Sequence, residues 1–205
     1  MTPADLAVEA CAPVLKGRRV LVGVGGGIAA YKACELVRLF VRCGAQVDVA
    51  MTEAAQQFVT PLTFQALSQR PVATSLLDSA EEQQIGHIAL ADRAELVVVA
   101  PVTADLAARY AHGLANDILT TALLAVRAPV LVAPGMNVHM WRHPATQANF
   151  ALLRSRGVHQ VGPGSGSMAC GHTGDGRLSE PWEILHAAAS LLGPGELAGR
   201  RALVT

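Results

Sequence analysis

The residues most able to do chemistry are one cysteine and several histidines that lie next to glycines. Cys170 stands in a glycine-rich segment, and His87 directly follows a glycine. His139 and His143 are four residues apart, so on paper they form a zinc site together with Cys170. Because Pro144 interrupts this helical spacing and no carboxylate or second cysteine completes the set, we expect no metal site.

The other reactive groups favour an organic cofactor. The sequence holds only two lysines, Lys16 and Lys32, and neither position favours a Schiff-base enzyme. Ser165 lies between two glycines, but the pattern around it does not predict the strand–turn–helix setting of a serine nucleophile. A thiol, several histidines and a glycine turn together suit a cofactor that supplies the electron sink.

A run of three glycines, Gly25 to Gly27, separates a short apolar stretch at residues 19–24 from a helical pattern at residues 28–43. This arrangement offers backbone N–H groups and a helix N-terminus to a phosphate. The dinucleotide fingerprint is not met, because Ile28 occupies the sixth position counted from Gly23. A P-loop is disfavoured as well, because Lys32 is not followed by serine or threonine.

Three interpretations of the glycine turn stay open. The phosphate of a mononucleotide, bound by Gly26, Gly27 and Thr52, fits the sequence best. Glu53 and Asp48 are acids that keep NAD possible. The third interpretation is a close-packed turn without any ligand.

Short apolar strands alternate with helical patterns along the chain. The predicted strands are residues 19–24, 46–51, 95–101, 129–133 and 158–161, and the predicted helices are residues 28–43, 61–68, 103–112, 116–126, 145–156 and 181–192. Gly44 and Gly157 are predicted to end two helices, and residues 162–180 are predicted to be a glycine-rich loop. This alternation predicts an α/β fold with a doubly wound, Rossmann-like parallel sheet, a three-layer sandwich.

The composition narrows the class of protein. The 205 residues are 51% hydrophobic and 16% charged, which excludes intrinsic disorder and predicts about one domain. Sixteen basic and 16 acidic side chains give no net charge, unlike a dedicated nucleic-acid binder. Mean hydropathy is +0.34, but no apolar run approaches a membrane helix, so we expect a soluble homo-oligomer. The N-terminus has no secretory signal and the four cysteines show no scaffold spacing, which predicts a reduced, cytoplasmic protein.

An internal repeat predicts how the chain is organised. Residues 17–22 (GRRVLV) return almost unchanged as residues 199–204 (GRRALV), after a Gly/Pro linker. We therefore expect residues 1–16 to be a leader, residues 17–192 to be the functional domain, and residues 193–205 to be a linker plus the first strand of a second, absent domain.

Four segments in the same order carry a family resemblance. Residues 134–141 (PGMNVHMW) match the pattern P-x-M-N-x-x-M-W, and the other segments are residues 26–32 (GGIAAYK), 86–91 (GHIALA) and 169–181 (ACGHTGDGRLSEP). With these motifs the chain resembles the homo-oligomeric flavin-containing cysteine decarboxylases, in particular their coenzyme A branch. The resemblance covers about residues 17–181. It implies FMN as cofactor, assembly as a trimer or a dodecamer, and a ligase domain fused behind this one in the full protein.

The resemblance also implies roles for individual residues. His87 would be the active-site base, Asn137 would hold the substrate carboxylate, and Cys170 would be the acid of the reductive half. The implied FMN contacts are Gly26, Gly27, Ile28, Thr52, Thr103, Ala104, Asp105, Leu106 and Gly135. The implied substrate contacts are Asn137, Met140, Met168 and Ala169. The chain departs from the family pattern at Gly25, Gly27, His172 and Leu178.

The reaction implied by the resemblance is the FMN-dependent decarboxylation of 4′-phosphopantothenoylcysteine to 4′-phosphopantetheine. The substrate is oxidised to a thioaldehyde, loses CO₂ to give an enethiolate, and is then reduced. The alternatives are a decarboxylase of C-terminal peptidyl cysteine and a non-catalytic, flavin-binding regulatory subunit of the same superfamily. A flavin prenyltransferase shares the fold but should lack the P-x-M-N-x-x-M-W pattern.

Overall fold

The computed structural model describes residues 1–76, 86–167 and 173–193. The helices in these ranges are α1 (Pro3–Leu15), α2 (Ala30–Arg42), α3 (Glu53–Gln56), α4 (Pro61–Ser68), α5 (His87–Arg93), α6 (Ala104–Ala111), α7 (Ile118–Ala125), α8 (Val138–Arg142), α9 (Pro144–Ser155) and α10 (Pro181–Leu192). The strands are β1 (Arg19–Val24), β2 (Gln46–Met51), β3 (Val72–Ala73), β4 (Leu96–Val102), β5 (Val130–Pro134), β6 (His159–Gln160), β7 (Gly164–Ser167) and β8 (Thr173–Arg177). None of these helices is long and apolar enough to cross a membrane.

Six strands form one parallel sheet in the order β3-β2-β1-β4-β5-β6. Val22 of β1 is in register with Val49 of β2 on one side and with Val98 of β4 on the other. The chain winds outward in one direction from β1 and in the other from β4, so the strand order reverses between these two strands. This is the doubly wound, Rossmann-like topology that the sequence predicts.

Helices cover both faces of the sheet and make two separate cores. Helices α1, α2, α4 and α10 pack on one face around Phe40, Phe64 and Ile184. Helices α5, α6, α7 and α9 pack on the other face around Leu119 and Phe150. Every residue of β4 is buried, which explains why the central strands are continuous apolar runs and do not alternate. The three-layer sandwich is therefore confirmed.

The predicted strands and helices are all present. Their observed first and last residues differ from the predicted ones by no more than two positions. Gly44 (φ 80°) and Gly157 (φ 85°) adopt the left-handed conformation after helices α2 and α9, as predicted. The first helix of the glycine motif begins at Ala30 and not at Ile28, because Ala30 N still donates to Gly27 O in the preceding turn.

Residues 1–16, which the sequence predicts to be a leader, contain helix α1, and this helix packs on the domain. Thr2 and Asp5 form a capping box that starts α1, and Cys11 and Leu15 on this helix are buried against the domain. Helix α1 packs mainly against α10, at the other end of the described chain. The helix was missed because its apolar residues, four of them small alanines, give a weak periodic pattern.

The segment predicted as a glycine-rich loop contains an antiparallel hairpin made of β7 and β8. Its strands were missed because glycine and serine give no apolar alternation, and the hairpin is held by backbone pairing and not by a core of its own. The expected linker and extra strand at residues 193–205 lie outside the described residues from residue 194 onward.

Candidate active site

A cavity of about 510 Å³ opens at the carboxyl ends of β1, β4 and β5. This is the point where the strand order reverses, the usual ligand position in a doubly wound sheet. The volume lies in the common range for small-molecule sites. The lining residues come from the glycine turn, α2, the ends of β4 and β5, α8 and β8: Gly26, Gly27, Ile28, Ala29, Tyr31, Lys32, Thr103, Gly135, Met136, Asn137, Met140, Gly176, Arg177 and Leu178.

The three glycines of the turn have different surroundings. A Cβ on Gly25 would collide with the carbonyl oxygen of Pro101, and one on Gly26 would collide with Ala54. A Cβ on Gly27 would meet only Thr103 Cγ2, at 3.7 Å. The first two glycines are thus required by packing, whereas Gly27 keeps the backbone open toward the cavity. No larger residue has room at position 25, which is one of the positions where the chain departs from the family pattern.

Thr52 is not brought to the cavity. Its side chain caps α3 by accepting a hydrogen bond from Ala55 N (3.2 Å), and its hydroxyl donates to Val24 O (3.4 Å). The residue is 3% exposed. The hydroxyl that the sequence offers to a phosphate is therefore used inside the fold, at the junction of β1 and β2.

Only the first residue of the segment 103–106 lines the cavity. Thr103 caps α6, since its Oγ1 accepts from Leu106 N at 3.2 Å. Asp105 points to solvent and pairs with Arg109 (2.9 Å), and Leu106 is buried in the core. Ala104 does not line the cavity.

The segment after β5 is fixed from both sides. Gly135 N donates to Val102 O (3.0 Å) and Met136 N donates to Gly176 O (2.9 Å). Asn137 is the N-cap of α8, and its Oδ1 accepts from His139 N at 2.8 Å. Gly135 and Asn137 line the cavity as expected, and half-exposed Met140 does so from α8.

The cavity is also lined by two cationic side chains, Lys32 and Arg177, which the sequence did not predict as site residues. Lys32 Nζ on α2 lies 2.9 Å from Glu180 Oε1, and Arg177 Nη2 at the end of β8 lies 2.6 Å from the same oxygen. Burial works to raise the pKa of Glu180, but hydrogen bonding and charge from Lys32 and Arg177 outweigh it and hold this pKa below its usual value. The sequence did contain a signal that could have identified Lys32 as a site residue, because it is one of only two lysines and lies inside a family motif.

His87 is not among the residues that line the cavity. It is the first residue of α5, which packs against α7 on the opposite face of the sheet from α2. The other predicted site residues Met168, Ala169 and Cys170 lie outside the described residues, as does His172. Within the described ranges no group of three histidine, cysteine or acidic side chains is placed to hold a metal ion.

The sequence matches one protein family over most of its length. The model of the flavoprotein family matches residues 12–193. The chain belongs to the flavoprotein family. The match begins inside α1, which agrees with the packing of that helix onto the domain.

Curated relatives match this flavoprotein domain over part of their length. It is 52% identical over 191 residues to the coenzyme A biosynthesis bifunctional protein CoaBC of Vibrio cholerae, covering 93% of this chain and 48% of the relative. It is 53% identical over 180 residues to CoaBC of Escherichia coli, covering 88% of this chain and 44% of the relative. The chain therefore spans about half the length of the curated relatives it matches.

Solved structures are similar to this flavoprotein domain over nearly their full length. A Cys→Ser mutant of PPC decarboxylase complexed with pantothenoylaminoethenethiol has 30% identity and a TM-score of 0.75, covering 84% of this chain and 96% of that chain. The FMN-dependent cysteine decarboxylase SpaF has 31% identity and a TM-score of 0.73, covering 85% of this chain and 97% of that chain.

Proposed function

We propose that this flavoprotein domain catalyses the FMN-dependent decarboxylation of 4′-phosphopantothenoylcysteine to 4′-phosphopantetheine in coenzyme A biosynthesis, as a carboxy-lyase. The observation that carries the proposal is that Asn137 and the glycine turn line one cavity together with Lys32 and Arg177. A substrate with a carboxylate at one end and a phosphate at the other matches an amide and two cations. The names of the CoaBC and PPC decarboxylase relatives support the same reaction.

The described part of the cavity fits FMN. Gly27 leaves the backbone of the turn accessible, and the N-terminus of the 13-residue helix α2 adds N–H groups with a favourable dipole for a phosphate. Gly26, Gly27 and Ile28 would hold the phosphate side, and Thr103 and Gly135 would lie along the ring. Thr52 would act indirectly, by holding α3 and Ala54 against Gly26.

Bound FMN supplies reversible two-electron chemistry, so the overall reaction is redox-neutral. Asn137 would hold the substrate carboxylate in surroundings poor in water, which favours loss of CO₂. His87 would take the proton of the substrate thiol as the Cβ–S unit becomes a thioaldehyde. That group accepts the electron pair of the breaking C–C bond, which gives an enethiolate. Cys170 would then protonate the carbon that lost CO₂, and the two electrons that the oxidation removed from Cβ would be restored there by the two-electron chemistry that bound FMN supplies.

The position of His87 supports the participation of a second copy of the chain in this mechanism. Since His87 does not line the cavity that contains Asn137, we assign the base to the neighbouring protomer of a homo-oligomer, a trimer or a dodecamer of such trimers. Exposed apolar side chains around the cavity mouth support such a contact: Ile28 and Tyr31 are each 60% exposed and Met140 is 48% exposed. The full protein would be cytoplasmic and would carry a fused ligase domain.

The test is CO₂ release by the purified, FMN-loaded protein. We expect a yellow protein with one FMN per chain that decarboxylates 4′-phosphopantothenoylcysteine much faster than a peptide with a C-terminal cysteine. Preference for the peptide would place the chain with the peptidyl-cysteine decarboxylases. Bound flavin with no turnover of either substrate would favour a regulatory subunit.

Cys170→Ser separates the two halves of the reaction. A serine hydroxyl is far less acidic than a thiol, so it should protonate the enethiolate poorly. We expect CO₂ release to continue for one turnover, and anaerobic mass spectrometry to find a product two hydrogens lighter than 4′-phosphopantetheine. Normal product at the wild-type rate would remove Cys170 from the mechanism.

A further inference from the structure

One carboxylate oxygen connects three elements beside the cavity. Oε1 of Glu180 is 2.9 Å from Lys32 Nζ and 2.6 Å from Arg177 Nη2. Lys32 belongs to α2, Arg177 ends β8, and Glu180 is the N-cap of α10. Lys32 and Arg177 line the cavity, whereas Glu180 stands behind them.

The position of Glu180 is set by its own helix. Its backbone N–H donates to Glu183 Oε2 at 2.7 Å, which fixes the first turn of α10. Two flexible cationic side chains are therefore held by a carboxylate whose backbone is rigid. Without that carboxylate the two cations, which lie within hydrogen-bond reach of one atom, would repel each other and separate.

The cluster formed by Lys32, Arg177 and Glu180 has a charge that attracts an anion. Two cations and one carboxylate give a net charge of +1. Among the described residues that line the cavity none is acidic, so the cavity wall presents Lys32 and Arg177 to an incoming anion and no carboxylate. Lys32 has a side chain only 13% exposed, and a charge with little water around it interacts strongly with an incoming anion.

We propose that Glu180 is a positioning residue that holds Lys32 and Arg177 together as the receptor for a phosphate monoester. The inference rests on the proposed function, which places two such groups in this cavity, one on the substrate and one on FMN. We assign the receptor to the substrate, because the glycine turn already offers backbone N–H groups to FMN. The converse role, in which Glu180 competes with the ligand for Lys32, predicts the opposite effect of removing the carboxylate.

The test compares ligands with and without the phosphate. Dissociation constants of the FMN-loaded protein are measured for 4′-phosphopantetheine and pantetheine, and those of the apoprotein for FMN and riboflavin. The ratio within each pair isolates the contribution of the phosphate. In Glu180→Ala we expect the 4′-phosphopantetheine preference to fall about tenfold while pantetheine affinity stays unchanged, because one charge-assisted contact is lost. Glu180→Gln keeps an acceptor oxygen and should lose less.

Asp175→Asn is the matched control, because it removes a carboxylate from the same hairpin. Asp175 pairs with Arg142 at 3.1 Å, its side chain is about half exposed, and neither residue lines the cavity. Its phosphate preference should equal that of the wild type.

Each outcome decides between the alternatives. If the affinity ratio of FMN to riboflavin falls instead, Glu180 is still a positioning residue, but the phosphate that Lys32 and Arg177 bind is that of the cofactor. Unchanged or increased ratios in both pairs for both Glu180 variants overturn the proposal, and so does a wild type without any phosphate preference. A clear phosphate preference in a protein that releases no CO₂ from 4′-phosphopantothenoylcysteine overturns the proposed function alone.

Discussion

Met136 N donates to Gly176 O at 2.9 Å, and this bond attaches the β7–β8 hairpin to the loop that carries Asn137. Gly176 lies where the register of the hairpin shifts, between the pairs Ser165–Asp175 and Gly164–Arg177. Such a bulge bends a strand locally and re-aims the residues that follow. Here the bend directs the end of β8, with Arg177, into the cavity wall.

Gly176→Ala is expected to break this attachment. The residue has φ +131°, and a Cβ there would collide with Met136 O, so we expect a loss of about 2–4 kcal/mol in unfolding free energy and a lower decarboxylation rate. Urea denaturation and CO₂ release measure the two effects. Gly164→Ala on the paired strand is the control, because its Cβ would meet Arg177 O only at 3.6 Å. Equal stability of the two variants would contradict this account of the bulge.

Neighbouring glycines of the turn should respond differently to the same substitution. Gly26→Ala forces a Cβ into Ala54, so we expect a loss of at least about 2 kcal/mol in stability and little bound flavin. Gly27→Ala places its Cβ 3.7 Å from the nearest atom, so stability should stay within about 1 kcal/mol of the wild type. Chemical denaturation with flavin absorbance distinguishes them. A well-folded, fully flavinated Gly26→Ala protein would show that the turn tolerates side chains.

The sequence predicted the sheet well because its central strands are buried on both faces. Such strands must be short and continuously apolar, and β4 and β5 carry this signal without interruption. Helix α1 and the hairpin were not predicted, since neither has a strong apolar period. Their places depend on partners distant in sequence: α10 for the helix and the Met136 loop for the hairpin.

At the site, the sequence motifs predicted which segments come together, but not which polar atoms are free to bind a ligand. Asn137, Gly27 and Thr103 reach the cavity as expected. Thr52 looked like a phosphate ligand because it follows β2, but its hydroxyl is already used to cap α3. No sequence pattern reports whether a hydroxyl is occupied by the backbone beside it. The same holds for Glu180, whose importance appears only when Lys32 is brought near it by folding.

Cys43 should make the protein less stable at alkaline pH. Burial, with a smaller contribution from Cys11, raises the pKa of the Cys43 thiol from 9.0 to about 11, against the opposing charge of Arg42. Between these values the unfolded chain loses the thiol proton first, so stability is retained below about pH 9 and lost as pH rises toward 11. The contribution of this thiol to the loss is about 2 kcal/mol at pH 10.5.

Urea denaturation of the wild type and of Cys43→Ala measures this contribution. The stability difference between them should be constant from pH 7 to 8 and should shift by that amount, in favour of the variant, at pH 10.5. Parallel pH profiles up to pH 10.5 would show that Cys43 titrates normally.

The proposed sharing of the site between protomers predicts that two inactive variants restore each other's activity in mixed oligomers. His87→Asn should lack the base, and Asn137→Asp should repel the substrate carboxylate in a site of low dielectric, so neither should release CO₂ alone. When both are co-expressed, some contacts join the intact Asn137 of one copy to the intact His87 of its neighbour. With random assembly this holds for about a quarter of the sites, and the mixture should recover that fraction of wild-type activity.

The control replaces the second variant by the double variant His87→Asn/Asn137→Asp. Mixtures of His87→Asn with this double variant contain no intact His87, so they should stay inactive. Distinct affinity tags on the two chains confirm that mixed oligomers form. If tagged, mixed oligomers of the two single variants release no CO₂, both residues must act within one chain. His87 would then have to reach its own cavity, which the placement of α5 on the other face of the sheet argues against.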